Sequence, residues 1–372
     1  MLVDNNTQAF LALVNAGLWE TEARLSNYGA IDYSEVMRIA EEQSVVGLVA
    51  AGLEHVLDVK VPKPDVLQFV GQSLQLEQQN TAMNYFIGVI VEKMRKVGIY
   101  TLLVKGQGIA QCYCKPLWRS CGDVDFFLDE SNYHKAFNFL SPLVQSIDEE
   151  NPANLHLGMT IDPWVVELHG TLRCGLGKRI DTQIDTIQDN TFKEGRVRAW
   201  RNGDVDVFLP APDNDVIFVF THILQHFFKG GIGLRQICDW CRLLWTYRET
   251  IDVELLERRL RKMRLMSEWK AFAAMTVDYL GMPVSAMPLY DQERKWRKKG
   301  EKVLSLILEK GNFGHNRDLS YINEDTYLRR KIKSFNSLLS DSIRRFMIFP
   351  CDSIKMLNIK LAQGIKMLFK GK

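Results

Sequence analysis

The sequence predicts an α+β fold, in which a small mixed β-sheet lies between an N-terminal and a C-terminal helical module. Helical periodicity dominates residues 1–97, strand-like segments dominate residues 98–212, and helical periodicity returns over residues 213–372. A chain of 372 residues, 46% of them hydrophobic, is long and apolar enough for two or three domains with a sizeable core. We therefore expect three regions with boundaries at these positions.

The first region is predicted to be entirely helical. Apolar residues recur at helical spacing over residues 5–18 and again over residues 34–57. A Pro-containing break then precedes a long helix over residues 65–97, which Gly98 ends. This helix leads the chain directly into the first strand of the predicted sheet.

Two aspartates stand in the otherwise apolar segment of residues 123–128. Its β-branched and aromatic residues predict a strand, on which residues two apart share a face, so Asp123 and Asp125 point the same way. Like charges about 6–7 Å apart on a strand repel each other, and a cation between them removes that repulsion. The pair therefore predicts a Mg²⁺ site, although so short a motif also occurs as ordinary acidic residues at a strand end.

A glycine turn precedes the acidic strand. Gly106 follows the strand-like residues 100–104 and comes before a short helical segment, residues 107–114. A glycine in this place lets backbone N–H groups approach a phosphate, and a helix N-terminus favours negative charge. Lys105 and Arg119 add positive charge on the same side as the acidic pair.

Taken together, these features resemble the nucleotidyltransferase superfamily with the polymerase-beta-like fold, and more narrowly an uncharacterised bacterial nucleotidyltransferase family. The residues that carry the resemblance are Lys105, Gly106, Tyr113, Arg119, the run Gly122-Asp123-Val124-Asp125 and the run Glu167-Leu168-His169. The superfamily usually has serine or glycine after the turn glycine, whereas Gln107 stands here. The resemblance then implies that Lys105 or Arg119 replaces the missing serine contact to the phosphates.

The resemblance also implies an activity and its residues. A nucleoside monophosphate would be transferred from a nucleoside triphosphate to an acceptor, with Mg²⁺ or Mn²⁺ as cofactor. The implied catalytic residues are Asp123, Asp125, Glu167 and His169, the first three as metal ligands and either of the last two as base. The implied nucleotide-binding residues are Lys105, Gly106, Gln107, Arg119, Arg235 and Asp239. Residues 98–212 would form the nucleotidyltransferase core.

A hairpin is predicted over residues 155–168, with a turn at residues 161–163. Glu167 and His169 then share one face of its second strand. The functional interpretation makes Glu167 the third metal ligand, and the alternative is a solvent-facing glutamate on an edge strand.

A second Asp-x-Asp motif, Asp204 and Asp206, ranks below the first. It lacks the preceding Lys-Gly turn, and Pro-Ala-Pro follows its strand at once instead of a packing helix. Residues 201–204 are typical of a hairpin turn. We therefore expect the metal at the first pair.

The C-terminal region is predicted to be helical from residue 213. His222 and His226 are four residues apart and face together, but no glutamate follows as in a zinc protease, so core or inter-domain hydrogen bonding is favoured. Arg235 and Asp239 have the same spacing and either pair on their helix or reach the nucleotide, as the resemblance suggests.

Composition limits the partners. The chain has two basic segments, residues 255–264 and 294–299, which taken alone suggest binding to RNA. With 47 basic and 45 acidic residues, however, the net charge is only +2, so RNA is possible as an acceptor but not favoured. An odd number of cysteines, seven, and the lack of a secretory leader favour reduced thiols in a cytoplasmic protein. No run of 18 apolar residues exists, which excludes a transmembrane helix.

Two questions stay open at this level. The acceptor can be a sugar, a phosphosugar, a small alcohol, RNA or a protein side chain, and a catalytically silent nucleotide-binding or scaffold protein is the alternative to an enzyme. The basic amphipathic segment at residues 353–370 is expected to pack on the preceding helices and not to contact a membrane.

Overall fold

The computed structural model describes residues 4–151, 155–312 and 339–357. The helices before the sheet are α1 (Asn5–Trp19), α2 (Tyr33–Glu42), α3 (Val46–Leu53) and α4 (Lys63–Lys96). Those within or beside the sheet region are α5 (Gly106–Ala110), α6 (Glu130–Leu140) and α7 (Lys178–Lys193). The later helices are α8 (Pro212–Lys229), α9 (Leu234–Thr246), α10 (Val253–Met263), α11 (Met266–Leu280) and α12 (Arg294–Lys310), and residues 339–346 and 350–357 are also helical.

The strands form a five-stranded mixed sheet and a separate two-stranded hairpin. The main sheet contains β1 (Leu102–Val104), β2 (Asp123–Phe127), β3 (Ser146–Ile147), β4 (His156–Ile161) and β5 (Trp164–His169), in the order β1-β2-β5-β4-β3. Within this sheet, as far as the structure describes the chain, β2 and β5 pair in parallel and the other neighbouring strands pair antiparallel. The hairpin consists of β6 (Val197–Asn202) and β7 (Val205–Pro210). A mixed α/β architecture, as the sequence predicts, is therefore observed.

One helix prediction needs a correction. The helix expected over residues 34–57 is two helices, α2 and α3, because the chain turns at Ser44 with a φ of 56°. An L-residue with this left-handed φ cannot continue an α-helix. The amphipathic segment predicted over residues 353–370 is described only as far as residue 357, so its docking lies outside the described residues.

Strand alternation on β2 sends its side chains to two different cores. Val124 and Phe126 pack in an apolar cluster with residues of α4 and α6. Phe127 belongs instead to a larger cluster and contacts Phe218 of α8, with ring centroids 5.7 Å apart. The aspartates share the face of Phe127, and this places them toward α8.

The larger cluster joins the N-terminal helices to the later ones. Its members come from α1, α2, α3, α8, α9, α11 and α12. Trp19 at the end of α1 donates a hydrogen bond to the carbonyl of Leu280 at the end of α11. Arg242 of α9 donates to the carbonyls of Leu18 and Cys112, each at 2.7 Å. Helix α9 is thus tied to α1 and to the loop that precedes β2.

The second Asp-x-Asp motif lies on the β6–β7 hairpin, away from the main sheet's acidic face. The Asp204 side chain is fully exposed in the turn, and Asp206 is half exposed and pairs with Arg201. Val207 and Leu209 face inward and pack with Leu103. The alternation that buries the apolar residues therefore directs both aspartates to solvent, as expected for the lower-ranked pair.

Three further features concern the hydropathy of the helices, the cysteines and the charged residues on the surface. Among the described residues, no helix combines the length and the apolar character that a membrane span requires. All seven cysteines are free thiols, and Cys238 and Cys241 are buried in the core. Basic residues of α10 and α12 pair with acidic neighbours on the surface, for example Arg261 with Glu257 and Arg297 with Asp278.

Candidate functional site

The parallel pairing of β2 with β5 brings the acidic residues together. In this register Asp125 lies opposite Glu167, so their side chains emerge side by side on one face of the sheet. Asp123 lies two residues before Asp125 on the same face. The three residues line a cleft of about 410 Å³, whose opposite wall is formed by α8 and α9.

Asp125 is the most buried of the three carboxylates, with 2% of its surface exposed. Its Oδ1 accepts a hydrogen bond from Lys105 Nζ at 2.8 Å and lies 2.7 Å from His169 Nε2. Burial opposes ionisation, but Lys105 and His169 outweigh it and lower the pKa of Asp125. Asp125 is therefore a buried carboxylate held between the Lys105 ammonium group and the His169 imidazole.

Glu167 faces two imidazoles with a single oxygen atom. Its Oε2 lies 3.2 Å from His156 Nε2 and 3.3 Å from His169 Nε2. The contact with His156, followed by that with His169, lowers the pKa of Glu167 well below its usual range. For His169, burial and the nearby Lys105 disfavour the imidazolium, but the two carboxylates prevail and raise its pKa. Glu167 and His169 thus shift each other's pKa in opposite directions.

Asp123 differs from the other two carboxylates. Its side chain is half-buried and accepts no hydrogen bond from the described residues. The adjacent Asp125 carboxylate, followed by burial, raises the pKa of Asp123. A carboxylate of this kind fits a bound cation, because the nearby Lys105 and Arg235 do not offset the repulsion from Asp125 and an ion would. Three oxygen-donating carboxylates are also the donor set that Mg²⁺ and Mn²⁺ prefer.

The turn before α5 presents Lys105 to the acidic face. Lys105 has φ 57° and ψ −145°, and Gly106 has φ 38°. A Cβ on Gly106 would also approach Cys121 Sγ to 3.2 Å. Positive φ values reverse the chain between β1 and α5, and the ammonium group of Lys105 consequently reaches Asp125.

The side chain of Gln107 packs against α4 and not in the cleft. Its side chain is 1% exposed, does not line the cleft, and donates a hydrogen bond to Asn80 Oδ1 of α4 at 2.7 Å. The first turn of α5 directs this side chain toward the N-terminal helices. The Gln107 side chain thus has a partner in α4, and a role of Gln107 in nucleotide binding stays a prediction.

Arg119 and Asp239 lie at the edge of the cleft and pair with each other. Arg119 Nε and Nη2 donate to the two Asp239 oxygens at 3.0 and 2.6 Å, and Tyr113 Oη donates to Asp239 at 2.8 Å. The third nitrogen of Arg119 donates to the carbonyl of Ser120. This buried network holds the loop before β2 against α9. The side chains of Arg119 and Asp239 therefore already have partners within the protein.

Arg235 lies one helical turn before Asp239. Its Nη1 donates to the carbonyl of Ser120 at 3.0 Å, and the side chain lines the cleft. Burial, followed by the positive charge of Arg119, lowers the pKa of Arg235. Its direct partner in the loop is thus the backbone that precedes β2.

Sequence reasoning placed His222 and His226 in the core or in a domain contact, whereas both line the cleft opposite the carboxylates. Their rings are 4.4 Å apart at a steep angle. Burial lowers the pKa of His222 well below its usual value and that of His226 to about 4. Both imidazoles are therefore neutral at neutral pH.

His156 was not predicted as a site residue at all. It is the register partner of His169 in the β4–β5 hairpin. The signal was a matter of register: the observed turn holds only residues 162 and 163, and counting back from the pair Ile161 and Trp164 places His156 opposite His169, whereas the predicted turn at residues 161–163 would place Leu168 there.

Comparison with known proteins identifies the family. Neither a curated protein nor a solved structure matches the chain. A family model described as an uncharacterised nucleotidyltransferase matches residues 29–281, a range that holds more than half of the chain and all the residues of the cleft discussed above. The chain therefore belongs to this uncharacterised nucleotidyltransferase family.

Proposed function

We propose that this protein is a metal-dependent nucleotidyltransferase that transfers a nucleoside monophosphate from a nucleoside triphosphate to a hydroxyl-bearing acceptor. The observation that carries the proposal is the convergence of Asp123, Asp125 and Glu167 on one face of two neighbouring strands, inside a cleft. We also assign the sheet and its flanking turn to the polymerase-beta-like superfamily. The division into regions 1–97, 98–212 and 213–372 belongs to the same proposal.

The three carboxylates would hold Mg²⁺ or Mn²⁺. When bound, such an ion neutralises charge on the triphosphate and lowers the pKa of the attacking hydroxyl. The half-buried Asp123 supplies an oxygen that no described residue engages, and Asp125 stays ionised between Lys105 and His169. These residues therefore provide ionised or ionisable oxygens at neutral pH.

Cationic side chains of the cleft would bind the triphosphate. Lys105 contacts Asp125 from the turn, and Lys229 and Arg235 line the wall formed by α8 and α9. Positive groups in a partly enclosed cleft bind phosphate oxygens strongly, because water screens the charges less there. Arg119 contributes indirectly, since its pairing with Asp239 holds the loop that Arg235 also contacts.

Proton transfer from the acceptor would involve a cleft side chain. Glu167 and His169 are the residues that the resemblance implies, and their mutual contact lowers the pKa of Glu167 and raises that of His169. His222 and His226 are neutral and face the carboxylates across the cleft. We assign the acceptor side of the cleft to this pair of imidazoles.

Ligand-induced thermal stabilisation tests the proposal. The full-length chain is heated with each of the four ribonucleoside triphosphates, in Mg²⁺ or in Mn²⁺, because a ligand that binds the folded state raises the unfolding midpoint. At least one triphosphate should raise the midpoint only when the metal is present. If none does with either ion, the proposal fails. A triphosphate that binds without any pyrophosphate release across the acceptor classes would favour the silent scaffold instead.

A further inference from the structure

A group of nitrogen and oxygen ligands lies beside the paired aspartates. One ligand atom from each of His156, Glu167 and His169 lies within 4.8 Å of the other two. The side chains come from adjacent strands, β4 and β5, on which His156 and His169 are register partners. The sheet itself therefore fixes the relative positions of the three groups.

Two of the three distances between these groups suit coordination of a single ion. Metal ligands at about 2.0–2.2 Å from an ion lie about 2.8–3.6 Å apart in tetrahedral or octahedral geometry. The Glu167 oxygen lies 3.2 Å from the His156 nitrogen and 3.3 Å from the His169 nitrogen. Both imidazoles thus face one carboxylate oxygen at the separations that shared coordination requires.

The three residues also leave open one side for a further ligand. Glu167 and His156 are partly exposed to the cleft, with 28% and 39% of their side-chain surface accessible, whereas His169 is nearly buried. Because His156 and Glu167 are accessible from the cleft, an ion can enter from that side. It can then keep one coordination position open for a substrate oxygen.

We infer that His156, Glu167 and His169 bind a divalent first-row transition ion of the class from Fe²⁺ to Zn²⁺, next to the carboxylate site of Asp123 and Asp125, with Glu167 shared between the two sites. Imidazole nitrogen is a good ligand for these ions and a poor one for Mg²⁺, which prefers oxygen. The inference deepens the proposed function, on which it rests for the role of the ion. It makes His156 a metal ligand, and it gives the cleft two neighbouring sites of different ion preference.

Titration with Co²⁺ tests this assignment without any nucleotide. The full-length chain is freed of metal with a chelator, and visible absorption follows the addition of Co²⁺, whose spectrum reports nitrogen ligands. The wild type should bind Co²⁺ with about a 100-fold preference over Mg²⁺. His156→Ala should weaken Co²⁺ binding about tenfold or more. His134→Ala, which removes an exposed histidine on α6, should bind like the wild type.

Thermal unfolding of each variant shows whether it is folded, and His156→Gln is titrated if the alanine variant is not. The inference is overturned if a folded His156 variant binds Co²⁺ as tightly as the wild type, or if Mg²⁺ displaces Co²⁺ at equal concentration. A chain that binds Co²⁺ through His156 but never releases pyrophosphate would refute only the proposed function. A chain that transfers nucleotide with Mg²⁺ and binds Co²⁺ equally without His156 would refute only this inference.

Discussion

Asp125 and Glu167 are register partners on the parallel strands β2 and β5, and one imidazole, that of His169, lies 2.7 Å from the first carboxylate and 3.3 Å from the second. Asp123 lies on the same face but accepts no hydrogen bond from the described residues. The three carboxylates are therefore not equivalent, and substitutions at each should have different consequences for stability and for metal binding.

Asp123→Asn should abolish metal-dependent stabilisation by triphosphate while leaving the metal-free chain equally stable or more stable by up to about 1 kcal/mol. The pKa of Asp123 is raised in the folded chain, so its negative charge is unfavourable at neutral pH, and the neutral amide relieves the repulsion from Asp125. Denaturant unfolding without metal and thermal shifts with metal and triphosphate measure the two effects separately.

Asp204→Asn is the matched control, because Asp204 belongs to the second Asp-x-Asp motif and is fully exposed. It should change neither stability nor metal-dependent binding. The opposite pattern, with Asp204 essential and Asp123 dispensable, would move the metal site to the β6–β7 hairpin.

Glu167→Gln should reduce transfer about a hundredfold or more while changing triphosphate affinity much less, because Glu167 is a proposed ligand of the metal that lowers the pKa of the attacking hydroxyl. The glutamine keeps the size of the side chain next to His156 and His169. Separate measurements of kcat and of the dissociation constant of the triphosphate distinguish the two effects. Equal losses in both quantities would instead place Glu167 in triphosphate binding.

Local patterns predicted much of the acidic face. Alternation on the strand placed Asp123 and Asp125 together, and the hairpin placed Glu167 beside His169. The pairing of β2 with β5 brings Asp125 and Glu167 together, but it joins segments about 40 residues apart and no local pattern specifies it. Local patterns therefore predicted the residues of the acidic face, but not the strand register that brings them together.

Contacts between distant segments determine side-chain partners that no local pattern predicts. Gln107 was expected at the nucleotide, but its amide packs on Asn80 of α4. Arg119 and Asp239 are 120 residues apart and pair through tertiary contact alone. Helix α7 was not predicted, although Ile180, Ile184 and Ile187 follow helical spacing.

Lys105→Ala and Lys105→Gly should both weaken triphosphate binding, because each removes the ammonium group that faces Asp125. The two variants should differ in stability. Lys105 has φ 57° and ψ −145°, a conformation that glycine adopts with little strain. We expect the glycine variant to be more stable than the alanine variant by about 1 kcal/mol or more.

Denaturant unfolding compares the stability of the two Lys105 variants, and thermal shifts with triphosphate compare their binding. Because both variants lack the same charge, the difference between their free energies of unfolding reports the backbone strain at residue 105. Binding as tight as that of the wild type in either variant would remove Lys105 from the nucleotide site.

Asp239→Asn should destabilise the chain by about 3–5 kcal/mol, because it leaves the buried guanidinium of Arg119 without its charged partner. Glu254→Gln is the control, since it breaks an exposed pair with Arg258 and should change stability by less than about 1 kcal/mol. Denaturant unfolding measures both. If Asp239→Asn is as stable as the wild type yet binds no triphosphate, Asp239 contacts the nucleotide directly and the structural role is wrong.

A buried acidic residue of α11 should make stability depend on pH. Burial of Glu268, together with its hydrogen bond to Asp352 in residues 350–357, raises its pKa to about 8 from an ordinary value of 4.5. Lys299 of α12 is the nearby positive charge and opposes this shift. Between the two pKa values the unfolded chain loses this proton while the folded chain keeps it, so the free energy of unfolding should fall as pH rises through this interval.

Glu268→Gln should remove this part of the pH dependence, because the amide cannot ionise in either state. We expect the variant to be more stable than the wild type by about 1–3 kcal/mol near pH 8 and to differ little near pH 4.5. Denaturant unfolding between these pH values measures the slope, with the exposed Glu22→Gln as a control that should follow the wild type. A parallel pH profile for wild type and Glu268→Gln would mean that Glu268 is already ionised in the folded chain, and that Lys299 compensates its burial.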